Sequence, residues 1–393
     1  MTDRERVLAT IRGKAPDRIP WIPRLDFWHR ARRHQNTLPP ALAGLTLPEI
    51  ADRLAVGCYS SIPDFTDCVE EEDMIDRGLG IFRLDVLPYR AELRNVERRI
   101  THRGRETTVE YHTPAGVVRT GFTFTEEMLD AGASMSWQTE LPIREPRDFD
   151  AVGYIFENLE IRPRWEGYLA RCAEVGERGV VVGWLAGTAC PIHHILKELM
   201  TVETFFYALA DYPDKVYGLC ERMAPFFDTI RRIGADSPAE VLLLGANYDD
   251  SITYPKFFET HILPPLRDYA EVLHSRGKYL MTHTDGENRR LMPLYLRAGF
   301  DIADSVCPHP MTRMSLDDYL EAFAGSVTVW GGIPSTLLCP DSTPEEQFRQ
   351  SIDTLIRTHG HRPRFILGVS DMVTADAEWS RLEYITERIN RIT

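Results

Sequence analysis

KYLMTHTDG, residues Lys278–Gly286, is the stretch that decides the fold. An apolar run of strand length stops on a histidine and an aspartate two positions apart. Side chains at i and i+2 of an extended chain share a face, so His283 and Asp285 leave the strand end together. Five further runs in the second half of the chain have the same form: VVVGWLAGT (Val180–Thr188), VLLLGANYDD (Val241–Asp250), DIADSVCPH (Asp301–His309), VTVWGGIPS (Val327–Ser335) and FILGVSDM (Phe365–Met372). Their apolar parts are mostly continuous, not alternating, which is the pattern of parallel strands buried on both faces. The segments Ile192–Leu199, Val202–Asp211, Pro213–Ile233, Pro255–Arg276, Glu287–Ala298, Ser315–Phe323, Thr343–His359 and Asp376–Ile392 carry apolar residues at helical spacing. Strand and helix in alternation, with polar strand ends, predict an α/β fold, a TIM (β/α)8 barrel whose site lies at the carboxyl-terminal rim.

Toward the N-terminus, Trp21-Ile22-Pro23 reads as a first barrel strand, and Arg4–Arg12 and Leu47–Val56 read as helices, with Pro48 in a first turn. From about Leu79 to Leu141 the pattern alternates, with turn pairs at Arg103-Gly104 and Ala115-Gly116. This predicts an antiparallel hairpin insertion in the N-terminal third, solvated on its Arg/His/Glu face or, in a second reading, capping a substrate. Helix caps are expected at Asp211 with Pro213, Ser315 with Asp318 and Thr343 through Glu346, and C-cap glycines at Gly277, Gly299 and Gly360. The expected organisation is one domain over residues 1–393, with the insertion at about 79–141.

The composition, 43% hydrophobic and 26% charged, is that of a globular chain with an ample core. A net charge of −14, from 45 basic and 59 acidic residues, argues against a nucleic-acid partner. The seven cysteines are an odd number, scattered and without a CxxC pair, and fit a reduced, cytoplasmic setting. No apolar run approaches bilayer-crossing length, and the N-terminus is charged and helical, unlike a signal peptide. Dinucleotide, phosphate-loop and nucleophile-elbow patterns are absent.

The strand ends carry the chemistry. His283 and Asp285 suit zinc or another divalent ion; equally, His283 can be a hydrogen-bonded barrel histidine and Asp285 a helix cap. Cys307 ends the next run, and Pro308-His309-Pro310 holds the chain extended so that Cys307 and His309 reach the same rim, although lone cysteines are commonly inert core residues. Asp371 ends the last run as ligand, general base or cap. Asn247, Tyr248, Asp249 and Asp250 follow VLLLGA as candidate substrate contacts, with Asp249 a candidate catalytic carboxylate and at least one of the pair capping a helix. Gly331-Gly332 permits close backbone approach to a ligand or a sharp turn. Trp28, Tyr248 and Trp330 line an aromatic pocket or serve as packing.

Three stretches together resemble the uroporphyrinogen decarboxylase superfamily: ERVLATIRGKAPDRIPWIP at the start, YPKFFETHILPPLRDYAEVLHSRGKYLMTHTDGENRRLMPLYLRAGFDIADSVCP in the centre, and VTVWGGIPSTLL, TPEEQF and FILGVSDMVTADA toward the end. The resemblance spans nearly the whole chain and implies a single TIM barrel. It implies one of two chemistries: cofactor-free decarboxylation of tetrapyrrole acetate arms, or zinc-dependent methyl transfer to or from a corrinoid protein. The decarboxylases carry an RQAGRY-type segment after the first strand; here it reads Arg24-Leu25-Asp26-Phe27-Trp28-His29-Arg30. The methyltransferases carry His-x-Cys at the strand equivalent to KYLMTH and a cysteine near the last strand. Those positions are His283, Asp285 and Asp371 here, so of the family's ligands His283 is retained and oxygen donors replace thiolates.

The function expected is demethylation of a small methoxylated or N-methylated compound. Zinc would sit at His283 with Asp285, Cys307 or Asp371, and a corrinoid partner protein would accept the methyl group. A carboxy-lyase is the alternative, with Asp285 or Asp371 stabilising a cationic intermediate. A non-catalytic tetrapyrrole or corrinoid carrier is a third reading. The expected partners are a small-molecule substrate, the corrinoid protein and a second copy of the chain.

Overall fold

The six apolar runs fold as six neighbouring parallel strands. In a computed structural model, which describes residues 1–63, 65, 75–323 and 325–392, the first six strands in chain order are β1 (Tyr89–Leu93), β2 (Glu97–Arg103), β3 (Glu106–Thr113), β4 (Gly116–Thr123), β5 (Trp137–Glu140) and β6 (Leu159–Pro163). The second six are β7 (Gly183–Ala186), β8 (Val241–Ala246), β9 (Tyr279–His283), β10 (Ile302–Val306), β11 (Thr328–Ile333) and β12 (Phe365–Val369). The parallel sheet has the order β12-β11-β10-β9-β8-β7. Every residue of β7, β8, β10, β11 and β12 is buried, as continuous apolar runs covered on both faces require.

Backbone hydrogen bonds continue past both edges of this sheet. Trp21 pairs in parallel with Leu367, and Gly57 N–H donates to Trp21 O at 3.0 Å and Val182 N–H to Ser60 O at 3.0 Å. The bonded path therefore runs from β12 through residues 20–22 and 57–60 to the chain just ahead of β7. The expected first strand is present as a single bridge, because Pro20 and Pro23 lack the N–H that a longer ladder needs.

Helices fill the connections. Val202–Asp211 is a helix with the expected limits, and Ser315 caps Leu316–Ala322 in a reciprocal box with Asp318. Thr2 with Glu5 and Thr46 with Glu49 form the same box at Asp3–Ile11 and Leu47–Leu54. Several expectations are corrected. Ile192–Leu199 is a short helix, Pro191–His194, followed by a π-turn, Ile195–Leu199, and Pro255–Arg276 is interrupted by a second π-turn at Phe258–Ile262. The helix expected from Glu287 begins only at Met292, because Asp249 and Asp250 accept the N–H groups of Glu287 and Arg290 and hold that turn open. The expected caps at Asp211 and Thr343 are absent: Tyr212 and Pro344 occupy the cap positions without side-chain bonds, and Thr343 donates to Thr336 O instead. Gly360 is right-handed at φ −58, unlike Gly299 at φ 77.

The alternating segment is a four-stranded antiparallel sheet, β2-β3-β4-β5, with turns where Arg103-Gly104 and Ala115-Gly116 place them. Val109, Tyr111, Val118 and Phe122 form its buried face against the helix Asp148–Glu157, and β2 is mostly solvated. A second antiparallel pair, β1 with β6, was not legible in the sequence. Among the described residues six cysteines are free, with Cys68 outside that set, and no helix is long and apolar enough to cross a membrane.

Candidate functional site

At the carboxyl end of β9 the imidazole of His283 is buried and held from both sides. The parallel register sets Asp304 of β10 beside His283, and His283 Nδ1–H donates to Asp304 Oδ2 at 2.8 Å. The Tyr59 hydroxyl donates to the same Asp304 oxygen at 3.2 Å. On the other ring face, His283 Nε2 lies 3.4 Å from Asp371 Oδ1 and 3.7 Å from Asp285 Oδ1. Arg24 ties Asp371 at 3.3 Å and Asp26 at 3.0 Å, and lies over the rings of Phe27 and Tyr59. Asn247 Nδ2–H donates to Asp285 Oδ2 at 3.4 Å, while Asp285 Oδ1 is buried without a hydrogen-bond partner among the described residues.

Electrostatics follow from these contacts. Burial pulls the His283 pKa down, but the hydrogen bonds of Asp304 and Asp371 and the charges of Asp304 and Asp285 outweigh it and raise the pKa to about 10. For Asp371, burial pushes upward, and the His283 contact with the charge of Arg24 brings it down to about 2. Asp285 goes the opposite way. Burial raises it, the Asp371 charge adds to the rise, and His283 and Lys197 only partly offset them. The cluster thus holds one imidazolium, one firm carboxylate and one carboxyl group reluctant to ionise.

The backbone is strained at the same place. Asn247, Ser305 and Asp371 have φ of 55, 58 and 43 degrees, the left-handed region in which side chains other than glycine are uncommon. Asp371 N–H donates to Ser305 Oγ at 3.0 Å, which locks two of these turns together.

The structure brings His283, Asp285, Asp371, Asn247 and Cys307 to one rim. Cys307 is buried, its thiol donates to Ser305 O at 3.3 Å, and burial with the charges of Asp285 and Asp371 raises its pKa to about 12. Trp330 meets the cluster indirectly, edge-on to Tyr59 at 6.0 Å, with its indole N–H buried and, among the described residues, unpartnered. Other expected contacts stand elsewhere. Asp249 accepts from Ser251 N–H at 2.8 Å and Asp250 from Arg290 N–H at 2.9 Å, so both organise the loop. Tyr248 is wholly buried, bonded to Thr282 at 3.1 Å and stacked on His193 at 5.3 Å. Trp28 donates to Ala377 O at 3.0 Å and stacks on Trp379. His309 is exposed, its N–H bonded to Met314 O. Gly331 serves strand contact: a Cβ there would lie 2.8 Å from the Val306 backbone. Sequence reasoning missed Asp304, Tyr59 and Arg24. The available signal was Asp304 itself, an acid inside an apolar strand run.

Among the described residues, no group of three or more His, Cys, Asp and Glu side chains stands in metal-holding geometry. The donors around His283 Nε2 nonetheless suit a divalent cation in kind: an imidazole nitrogen backed by a carboxylate on Nδ1, and two further carboxylates, one with a buried oxygen that has no hydrogen-bond partner among the described residues. A cavity of about 310 Å³ adjoins the cluster, with Arg24, Asp26, Tyr59 and Trp184 among its walls.

No family model matches the chain, and no curated protein matches it. Among solved structures it is similar to a methyltransferase from Methanosarcina mazei, at 13% identity and a TM-score of 0.51, over 100% of this chain and 99% of that one. At this identity the likeness is one of fold. Dispersin B matches at 12% identity and a TM-score of 0.24, over 64% of this chain and 78% of that one, and carries no argument.

Proposed function

We propose that the chain is a metal-dependent methyltransferase of the uroporphyrinogen decarboxylase superfamily, a single (β/α)8-barrel domain that moves a methyl group from a small methoxylated or N-methylated compound to a corrinoid protein. The observation that carries this reading is the His283 cluster: an imidazole and carboxylates gathered at the carboxyl ends of parallel strands, where α/β barrels place their chemistry. The backbone bonds through residues 20–22 and 57–60 support closure into eight strands. The whole-length fold likeness to a methyltransferase is in keeping with it.

His283, Asp285 and Asp371 would hold the metal, which when bound supplies Lewis acidity at the leaving oxygen or nitrogen. The protein's own groups do the positioning. Asp304 fixes the imidazole so that Nε2 faces the rim. Arg24 holds Asp371, and Asn247 holds one oxygen of Asp285, leaving the other oriented toward Nε2. The heteroatom keeps the bonding electron pair as the methyl group leaves for its acceptor. Tyr59, bonded to Asp304 and edge-on to Trp330, would be the aromatic ring nearest that site.

A second reading, a cofactor-free carboxy-lyase, is favoured by the raised pKa of Asp285, which would keep a proton ready for the carbon that carbon dioxide leaves. Elemental analysis of the purified chain separates the two. Methyl transfer predicts one zinc per chain, lost in His283→Ala, and demethylation of a methoxylated aromatic with a corrinoid acceptor. Full activity in metal-free protein would sink it.

A further inference from the structure

The cavity beside the His283 cluster carries a charge opposite in sign to that of the whole chain, which is −14. Among the described residues, the walls of this space of about 310 Å³ hold four guanidinium groups, Arg24, Arg30, Arg33 and Arg171, against two carboxylates, Asp26 and Glu174. Both acids are already engaged. Asp26 lies 3.0 Å from Arg24 and 3.6 Å from Arg30, and Glu174 lies 2.6 Å from Arg171. Arg33, on the helix Asp26–His34, makes no side-chain hydrogen bond or ion pair among the described residues. Arg171, on the helix Glu166–Val175, uses Nε for Ser60 Oγ at 3.3 Å and Nη1 for Glu174. Its Nη2 is left with no hydrogen bond to a described residue.

The mouth has the same sign. An open groove next to the cavity shares His29, Arg33 and Thr46 with it, adds Arg32, and has no acid in its lining among the described residues. Clefts lined by one sign of charge concentrate ions of the other. Much of the remaining wall is apolar, with Leu47, Ile62, Val86 and Trp184. The volume lies at the lower end of the range for small-molecule sites. The inner wall meets the rim: Arg24 and Tyr59 line the cavity, Arg24 lies 3.3 Å from Asp371, and the Tyr59 hydroxyl donates to Asp304 at 3.2 Å.

We propose that this cavity binds a small organic anion, one carboxylate or phosphate on an apolar body, with Arg33 and Arg171 at the charge and Ile62 and Trp184 at the body. Planar guanidinium forks supplied by two helices suit an oxyanion. The site needs neither metal nor methyl transfer and goes beyond the function proposed for the rim. A ligand bound there lies against Arg24 and Tyr59, the groups that hold two of the carboxylates around His283.

The test is calorimetric titration of the chelator-treated full chain at physiological ionic strength. Benzoate and phenyl phosphate are the probes, each against its neutral counterpart, benzamide and phenol. At least one anion is expected to bind about tenfold or more tighter than its counterpart, and which one does so tells carboxylate from phosphate. Arg33→Gln alone, which breaks no contact with a described residue, should weaken that anion about threefold or more. Arg33→Gln with Arg171→Gln should bring it to the affinity of the neutral counterpart. The melting temperature should not move, because neither arginine is buried and the Arg171–Glu174 pair is open to solvent. Arg33→Lys with Arg171→Lys should keep part of the preference. Arg99→Gln with Arg105→Gln makes the same change of net charge on the antiparallel insertion and should leave the preference intact. Three results overturn the proposal: binding of neither anion, a preference that survives Arg33→Gln with Arg171→Gln, or one lost equally in Arg99→Gln with Arg105→Gln.

Discussion

Replacing Asp304 by asparagine tests the electrostatics of the site most directly. The amide keeps the shape and one acceptor for His283 Nδ1–H but removes the buried charge. In metal-free protein the His283 pKa rises from its ordinary 6.5 to about 10. At about 1.36 kcal/mol per pH unit this corresponds to about 5 kcal/mol of stabilisation of the imidazolium by its surroundings. Asp304 makes the shortest of the three carboxylate contacts, 2.8 Å against 3.4 and 3.7 Å, so about half, roughly 2–3 kcal/mol, is assigned to it. The pKa is raised on folding, so this stability is fully present below pH 6.5 and is lost as pH rises through 10. Urea unfolding of chelator-treated Asp304→Asn should therefore show a loss of about 2–3 kcal/mol at pH 6 and a much smaller loss at pH 10. The wild-type chain should itself weaken across that interval more than the variant does. An equal loss at both pH values, or none at pH 6, refutes the assignment of His283 as a buried imidazolium.

The acid side is governed by His193 and His194, whose pKa values burial lowers, His193 well below the ordinary range. The unfolded chain binds their protons near pH 6.5 and the folded chain only at lower pH, so stability present above 6.5 should fall as pH drops, by at most about 1.4 kcal/mol per pH unit for each histidine; a flat unfolding profile between pH 7 and 5 refutes this. Gly331→Ala places a side chain at φ 134 and 2.8 Å from the Val306 backbone, and should cost about 2–3 kcal/mol, read as a lowered Tm; an unchanged Tm would show that the β10–β11 contact is slack. Cys307, pushed up to about 12 by burial and by Asp285 and Asp371, should resist a thiol-disulfide reagent at pH 8 in the native metal-free chain and react once unfolded; rapid native labelling refutes the burial argument.

Much of the parallel sheet was legible because burial on both faces leaves one kind of sequence, a continuous apolar run, and VLLLGA and FILGV are hard to read otherwise. The hairpin turns were legible for the same local reason, glycine at the bend. The π-turns were not, since Ile195–Leu199 and Phe258–Ile262 keep helical spacing and differ from an α-helix by one inserted residue. At the site, His283, Asp285 and Asp371 stood at strand ends and could be found by position. Asp304, Tyr59 and Arg24 could not, because their role depends on which strands are neighbours: register sets Asp304 beside His283, and the long return of the first segment brings Arg24 to Asp371. Tyr248 shows the converse error. It follows a strand in a polar cluster, yet its ring turns inward onto His193, since Asn247 takes the left-handed bend that redirects the chain.

That bend is part of a pattern that bears on function without reference to any relative. Asn247, Ser305 and Asp371 all lie at strand ends, and all three are left-handed at positions where glycine would be less strained. Relief by glycine would delete a contact in each case: the Asn247 bond to Asp285, the Ser305 hydroxyl that accepts Asp371 N–H, or the Asp371 carboxylate between Arg24 and His283. A strained non-glycine residue of this kind costs of order 1–3 kcal/mol and persists only where surrounding contacts over-determine it. Here the contacts that do so are the ones that aim two carboxylates at a single imidazole nitrogen. Stability alone would not select that arrangement, because it buries a carboxyl group and sets a second acid beside it: burial first, and the Asp371 charge after it, raise the pKa of Asp285. The strain and the repulsion meet at the one rim where the proposed cation would draw the carboxylates together.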